Sequence, residues 1–363
     1  MPTKRHFVDL DEFDSLIRRA LARTYSVRDK FDNESDFKFE LYHNLHQLKL
    51  NGHRLGSKLL GHPTCLLHAE AKAENGNPSK ADLLICNPAR RNPFNYSAEA
   101  VIELKTTLNS RALNAELKKF TGYRDRNIRR LYLIPANRNT LSPTQKSVIL
   151  EEYPQAARKL VILDRSMIRP RVVKKKTVTD SQSSLIDQIS KCIKATLNLY
   201  GKSRRQYHGF FWCNHEHEQN RGWTFPVEGD FNAQLYHRLR SKLPRGTVIQ
   251  TEYRPSSGTN SRVDLFITRP DESIGIEVKM NWDQLRVQPN KAKQEVDAIL
   301  EKLGAMEVQQ ANHANFLVVI QGEDGYRLSS NNKAKALQRL RGNGFSLFYY
   351  DERRNIPTGP VTT

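Results

Sequence analysis

The chain has 363 residues, enough for two domains that each bury a hydrophobic core. Its net charge of +19 predicts attraction to polyanions, of which nucleic acid is the commonest, although a basic protein without a nucleic-acid partner is the alternative. We expect no membrane span, no secretory signal and a place in the cytoplasm or nucleoid, because apolar runs are short and Met1 to His6 lack an apolar core. Four cysteines without C-x-x-C spacing argue against structural zinc.

Two helices are predicted at the start of the chain. Apolar residues recur at helical spacing over 7–25, and a second helix is predicted over 36–50, capped by Ser35 or Asp36. Short apolar runs separated by turn residues then predict strands. Strands are expected at 65–70, from 81, and over 101–105, 131–134 and 160–163. Helices are expected over 113–123 and from Ser142-Pro143.

Charged residues interrupt two of these strands. By the period of two in a strand, Glu103 and Lys105 lie on the face opposite Ile102 and Leu104, and Asp82 has the same setting one strand earlier. If the strands pair, two carboxylates and one ammonium meet at one edge, which predicts a metal site with a base beside it. The alternatives are an aspartate that caps a turn and a surface salt bridge between Glu103 and Lys105.

The second half repeats this pattern. Asp264 lies in one apolar strand, and Glu277 and Lys279 lie in the next. Residues 36–45 align without gaps to 230–239, which indicates duplication. The predicted elements are helix 230–243, strand 248–252, the Asp264 and Glu277 strands, helix 291–303, strand 316–320, helix 333–340 and strand 345–350.

We therefore predict an α/β protein with two tandem units, each a mixed β-sheet flanked by helices in the order α-β-β-β-α-β-α-β. The predicted domains are 1–168 and 206–363, joined by a basic linker and helix over 169–205. Six basic residues and no acid lie between Arg165 and Lys176. Either this segment contacts phosphate through Lys174, Lys175 and Lys176, or it is a solvated connection.

The paired motifs resemble those of the PD-(D/E)XK nuclease superfamily, which has an acid on one strand and (D/E)-x-K on the next, often with a Glu on the preceding helix. The resemblance implies a restriction-endonuclease-like fold in each unit and catalysis with Mg²⁺ or Mn²⁺. It implies that the catalytic residues are Asp82, Glu103, Lys105, Asp264, Glu277 and Lys279, and that the metal ligands are Glu40, Asp82, Glu103, Asp264 and Glu277. Neither unit has the proline that the family places before the first acid.

Several further residues are candidates with open alternatives. Gln234 stands where the second helix would carry its Glu, so the second site is expected to coordinate metal more weakly. Glu70 and Glu252 either sit beside the metal or pair with Lys72 and Arg254. Histidines His43 and His237 are accessory groups or packing residues. The helix after Lys105 is expected to contact nucleic acid through Lys118, Lys119 and Arg124, or else to present a solvated face.

Three functions follow from these residues. The first is a metal-dependent DNA endonuclease whose two units act as an internal pseudo-dimer, in phage defence, mobile elements or repair. The second is a nucleic-acid-binding or scaffold protein that has kept the nuclease fold, and the third is an RNase with the same chemistry. No ATPase loop or helix-turn-helix signature stands out, so protein partners would supply motor or targeting functions.

Overall fold

The structure is a computed structural model of the chain. It describes residues 9–28, 30–50, 53–56, 66–72, 80–86, 98–122, 128–169, 184–206, 228–244, 246–255, 262–280, 289–304, 312–320, 335, 338–340, 342–351 and 356–361. The chain divides into two compact units, one covering 1–175 with 213–230 and the other 176–212 with 231–363. The division differs from the predicted domains, because 184–206 forms a helix that packs on the second sheet.

The first unit contains five α-helices among its described residues. Helix α2 packs against the sheet on one side and against α1 on the other, so nearly all of its side chains are buried. Its N-cap is Asn33, whose side chain accepts from the Asp36 backbone N–H, and not Ser35 or Asp36 as predicted. Helix α4 begins with the predicted Ser142 cap and Pro143 in its first turn. The bounds are α1 Leu10–Thr24, α2 Glu34–His46, α3 Ser110–Thr121, α4 Pro143–Glu152 and α5 Pro154–Ala157.

Within the described ranges, the sheet of the first unit has five strands. They are β3 Leu67–Lys72, β4 Lys80–Cys86, β5 Ala98–Leu108, β6 Arg130–Asn139 and β7 Leu160–Ile162, and they lie side by side in this order. The first three run antiparallel, and β5, β6 and β7 run parallel. A two-stranded hairpin, β1 Lys49–Leu50 and β2 His53–Arg54, follows α2 where the sequence predicted more helix.

The second unit repeats this arrangement. Strands β8 Val248–Tyr253, β9 Val263–Thr268 and β10 Ser273–Met280 run antiparallel, and β11 His313–Ile320 and β12 Phe345–Asp351 continue the sheet in parallel. An unpredicted strand, β13 Ile356–Val361, adds an antiparallel edge beside β12. Its helices among the described residues are α6 Leu185–Gln206, α7 Glu228–Lys242, which begins in the part of the chain assigned to the first unit, and α8 Pro289–Gly304. Residues 335 and 338–340 are helical between β11 and β12.

Both units are therefore mixed sheets flanked by helices, and the predicted α/β class is confirmed. In each, a helix precedes three antiparallel strands and another helix leads from the third strand to a parallel fourth. The third strand, β5 or β10, lies between other strands of its sheet, and its motif glutamate, Glu103 or Glu277, is buried.

Candidate active site in each unit

The strand register brings the motif acids face to face. Leu83 pairs with Ile102 across β4 and β5, and continuing this antiparallel register by one residue sets Asp82 opposite Glu103. In the second unit Leu265 pairs with Ile276, so Asp264 lies opposite Glu277 by the same step. Side chains opposite each other on antiparallel strands share one face of the sheet. Each unit thus places an aspartate and a glutamate side by side.

Each aspartate is fixed by the neighbouring strand. The Leu104 backbone N–H donates to Asp82 Oδ2 at 2.8 Å, and the Val278 N–H donates to Asp264 Oδ2 at 2.7 Å. In both units the donor is the residue between the motif glutamate and lysine. This hydrogen bond holds the aspartate against the E-x-K strand and orients its carboxylate.

A third carboxylate completes the row in each unit. Ala69 pairs with Leu83 and Ala71 with Ala81, so Glu70 faces Asp82, and the register of β8 places Glu252 against Asp264 in the same way. Glu70 has φ 53° and Glu252 has φ 47°, a left-handed backbone that L-residues with a Cβ adopt at a cost of about 1–2 kcal/mol. In both repeats the residue with the left-handed backbone is the one opposite the motif aspartate.

Three lysines lie among the carboxylates of the first unit, including two carboxylates from the flanking helices. Lys38, Lys105 and Lys119 come from α2, β5 and α3, and the Nζ atom of each lies within 4.0 Å of two carboxylates. The distances are Lys38 to Glu70 2.6 Å and to Asp82 4.0 Å, Lys105 to Glu116 3.1 Å and to Glu34 3.7 Å, and Lys119 to Glu103 2.5 Å and to Glu116 3.9 Å.

This arrangement shifts the proton affinities of the first site. Burial, together with the Asp82 carboxylate, raises the pKa of Glu103 well above its usual value, although Lys119 acts in the opposite direction. The pKa of Glu34 is also raised, mainly by burial and then by Asp82. Burial lowers the pKa of Lys105, but the Glu116, Glu34 and Asp82 carboxylates outweigh it and the net shift is upward. Lys105 is therefore an ammonium at neutral pH.

The second unit distributes its charges differently. Glu277 is fully buried, and two ammonium groups converge on its Oε1 atom, Lys279 Nζ at 2.7 Å and Lys302 Nζ at 2.9 Å. The other oxygen, Oε2, is buried and has no hydrogen-bond partner among the residues that the structure describes. Glu252 forms an ion pair with Arg262 near the surface. In the second unit one carboxylate pairs with two lysines, whereas in the first unit each lysine lies within 4.0 Å of two carboxylates.

Helix α2 brings two further charged residues, Glu34 and Lys38, to the first site. Glu34 and Lys38 are four residues apart and so share the face of α2 that meets the site, whereas Glu40 is about 200° around the helix from Lys38. The Asn44 side-chain amide approaches Glu40 Oε1 at 3.4 Å and also donates to Thr24 of α1 at 3.1 Å. The structure brings Glu34 and Lys38 to the motif residues, and Glu40 contacts Asn44, the residue that also bonds Thr24 of α1.

The remaining candidates are placed as follows. His43 is buried with its Nε2 3.0 Å from the Gln47 side-chain amide, while Gln234 and His237 are half-buried on α7. Glu70 pairs with Lys38, and Glu252 pairs with Arg262 rather than with the predicted Arg254. Lys118 is exposed on α3. The predicted contacts Arg124, Lys174, Lys175 and Lys176 lie outside the described residues.

Sequence reasoning missed residues on the flanking helices. Glu34 and Lys38 on α2, and Glu116 on α3, complete the first site. Lys302 on α8 forms an ion pair with Glu277, and this pair corresponds to the ion pair of Lys119 with Glu103. The available signal was spacing, since Glu34 and Lys38 are four residues apart and Glu116 and Lys119 three apart, as in helical ion pairs.

The carboxylates fit a magnesium-like ion held partly by water. Within the described ranges no three or more His, Cys, Asp or Glu side chains are grouped so as to enclose a metal. Mg²⁺ in enzymes is commonly bound by only one or two carboxylates, with water and substrate oxygens completing its shell. The opposed Asp82 and Glu103 satisfy this requirement, and buried oxygens without a hydrogen bond on Glu116 and Glu277 mark places that favour positive charge.

Comparison with known proteins gives no family assignment. No protein-family model matches the chain, and no curated protein matches it either. Among the described residues, no helix is both long enough and apolar enough to cross a membrane.

Proposed function

We propose that the chain is a metal-dependent nuclease that hydrolyses phosphodiester bonds of DNA, with a PD-(D/E)XK-like site in each of its two units. The observation that carries the proposal is the duplicated geometry, in which an aspartate opposes the glutamate of E-x-K and accepts from the backbone between glutamate and lysine. A charged arrangement of this kind is costly inside a domain and contributes little to stability. Its presence twice supports a chemical role.

Asp82 and Glu103 would hold the divalent ion in the first unit. When bound, Mg²⁺ or Mn²⁺ would neutralise charge on the phosphodiester and increase the acidity of a water. The hydrogen bond from the Leu104 backbone N–H would keep the Asp82 carboxylate in place as substrate enters. In the second unit Asp264 and Glu277 are the corresponding pair.

Lys105 would act as a fixed ammonium rather than as a base. Its pKa is raised, so it does not accept a proton at neutral pH. Glu116 and Glu34 hold its Nζ atom at 3.1 and 3.7 Å, and the N–H group that these carboxylates do not engage would orient a phosphate oxygen or the attacking water. In hydrolysis the water oxygen bonds to phosphorus and gives up one proton to bulk water, one P–O ester bond breaks, and the leaving oxygen takes up a proton.

The basic character of the chain supports DNA as the substrate. A net charge of +19 attracts the phosphate backbone, and the exposed Lys118 on α3 lies one residue from Lys119, which contacts Glu103.

We further propose that the protein acts in the cytoplasm and that partners provide any ATPase or targeting activity.

The test is cleavage of supercoiled plasmid with Mg²⁺ or Mn²⁺ by wild type and by Asp82→Asn. Asparagine can still accept from the Leu104 N–H, so this change removes charge but keeps the hydrogen bond. We expect cutting to fall by about 100-fold or more, the scale of losing a group that stabilises the transition state, while DNA binding with Ca²⁺ is kept. Lys105→Met and Asp264→Asn are assayed in parallel.

Equal cutting by wild type and by Asp82→Asn combined with Asp264→Asn would contradict the proposal. Binding that falls steeply with salt but never leads to cleavage would instead favour a scaffold with the nuclease fold. Cleavage of single-stranded or structured RNA in preference to plasmid would assign the same residues to an RNase.

A further inference from the structure

The two sites differ at one helix position, three residues before the lysine that contacts the motif glutamate. Lys119 on α3 and Lys302 on α8 both reach the E-x-K glutamate from the helix that follows its strand. Three residues earlier the first unit has Glu116 and the second has Ile299. The match extends along the helix, because Leu113 and Val296, six residues before the lysines, are both buried.

Glu116 gives Lys119 a second partner. The Lys119 Nζ atom is 2.5 Å from Glu103 and 3.9 Å from Glu116, so the ammonium lies between two carboxylates. A cation that binds Glu103 would push Lys119 toward Glu116, whose Oε2 is buried and makes no hydrogen bond within the described part of the chain. The lysine would stay paired after displacement, and the cost of displacing it is small.

Lys302 has no such alternative at that position. Ile299 is buried in the hydrophobic core of the second unit and offers no charge. The ion pair of Lys302 among the described residues is with Glu277, and Lys279 binds the same Oε1 atom. A cation that binds Glu277 through Oε1 must separate at least one ammonium group from a buried carboxylate, and one that binds through Oε2 is repelled by two ammonium groups on the same carboxylate. Breaking a buried pair without replacing the partner is costly.

We infer that the two units load divalent metal unequally, the first at lower concentration than the second, and that Lys119 and Lys302 are positioning residues that hold the motif glutamate before metal arrives. The inference rests on the proposed function. It assigns the first unit as the tighter metal site and Lys302 as a competitor of metal in the second. Gln234, the neutral equivalent of Glu40, plays no part in it.

The test is a Mn²⁺ titration of the full chain without nucleic acid, followed by the electron paramagnetic resonance signal of free Mn²⁺. Wild type is expected to show one tighter and one weaker site, separated by about tenfold or more. Glu103→Gln should remove the tighter site, and Glu277→Gln should leave it unchanged. Removal of the tighter site by Glu277→Gln, or equal affinity of the two sites, would overturn the inference.

Helix variants test the cause of the difference. Glu116→Gln should weaken the tighter site by about 10- to 100-fold, the usual cost of removing a residue that supports a metal ligand. Lys302→Met should strengthen the weaker site by about tenfold and leave the tighter one unchanged. Because Ile299→Glu changes a core position, Lys302→Met is the variant that decides, and its circular dichroism and melting curve establish that it folds. An unchanged or weakened second site in folded Lys302→Met would overturn the competition.

These outcomes separate the inference from the function on which it rests. Absence of Mn²⁺ binding to wild type would contradict both. Two sites of equal affinity would contradict the inference alone and leave metal-dependent cleavage intact.

Discussion

The first and second units share a backbone plan but balance charge in opposite ways. Around Glu103 each lysine lies near two carboxylates, whereas Glu277 alone receives two lysines. The first arrangement has carboxylate in excess and favours a further cation, while in the second two ammonium groups already lie on one carboxylate without metal. Duplicated motifs that look equal in sequence can therefore differ in function, because the flanking helices decide how much negative charge each site keeps.

The largest expected effect concerns the helix lysines in metal-free protein. Lys119→Met leaves buried Glu103 without its ammonium, and we expect a loss of about 3–5 kcal/mol in unfolding free energy at pH 8. Lys302→Met should cost less, since Lys279 remains 2.7 Å from Glu277. Urea unfolding with a chelator measures both. A larger loss for Lys302→Met would reverse the comparison.

The next effect is the pH dependence of the first unit. Because the folded pKa of Glu103 is raised, its contribution favours folding at low pH and is lost as pH rises from the unfolded pKa toward the folded one. The groups that face it are Asp82, Lys119 and Glu116. Glu103→Gln should therefore raise the metal-free melting temperature at pH 8 by about 2–4 °C, the equivalent of about 1 kcal/mol in a unit of this size, and by less at pH 5.

Glu277→Gln is the matched control. It leaves Lys279 and Lys302 facing a neutral amide, so we expect it to lower the melting temperature in the same buffers. Calorimetry of the two variants from pH 5 to 8 checks the pair. A Glu103→Gln variant that is destabilised as much as Glu277→Gln would show that the first unit has no excess of carboxylate.

A smaller effect is expected at the strained glutamates. Glycine accepts the left-handed backbone, so Glu252→Gly should be more stable than Glu252→Ala by about 1 kcal/mol, and Glu70→Gly should exceed Glu70→Ala by a similar amount. Both Glu70 variants should be less stable than their Glu252 counterparts, because they remove the 2.6 Å partner of the buried Lys38, whereas the Glu252 pair with Arg262 is more exposed. Equal stability of the glycine and alanine variants would contradict the strain.

The smallest effect separates the outer faces of α3 and α8. Lys118 is exposed, and the residue one before Lys302 is the exposed Glu301. If α3 contacts the DNA backbone, Lys118→Glu should weaken binding modestly and for all sequences, and lower the slope of affinity against salt by about one. Fluorescence anisotropy of Lys118→Glu beside Glu301→Lys measures this. An unchanged salt slope would make α3 a solvated face.

Part of this molecule could be predicted from its sequence, for a physical reason. The period of two along β4, β5, β9 and β10 places charged and apolar residues on opposite faces, so Asp82, Glu103 and their repeats were found. The face of α2 that meets the sheet could not be predicted, because this helix is buried on nearly all sides and has no apolar stripe to mark that face. Strand β13 contains two prolines, which weaken a strand pattern although an edge strand tolerates them.

The most direct measurement is anomalous diffraction from crystals soaked in Mn²⁺. The central claim is that Asp82 with Glu103, and Asp264 with Glu277, form cation sites for phosphodiester hydrolysis. We predict a strong anomalous peak between Asp82 and Glu103 at low Mn²⁺ and a second between Asp264 and Glu277 only at higher concentration. Crystals that show Mn²⁺ at neither pair, even at saturating concentration and with a bound oligonucleotide, would contradict it.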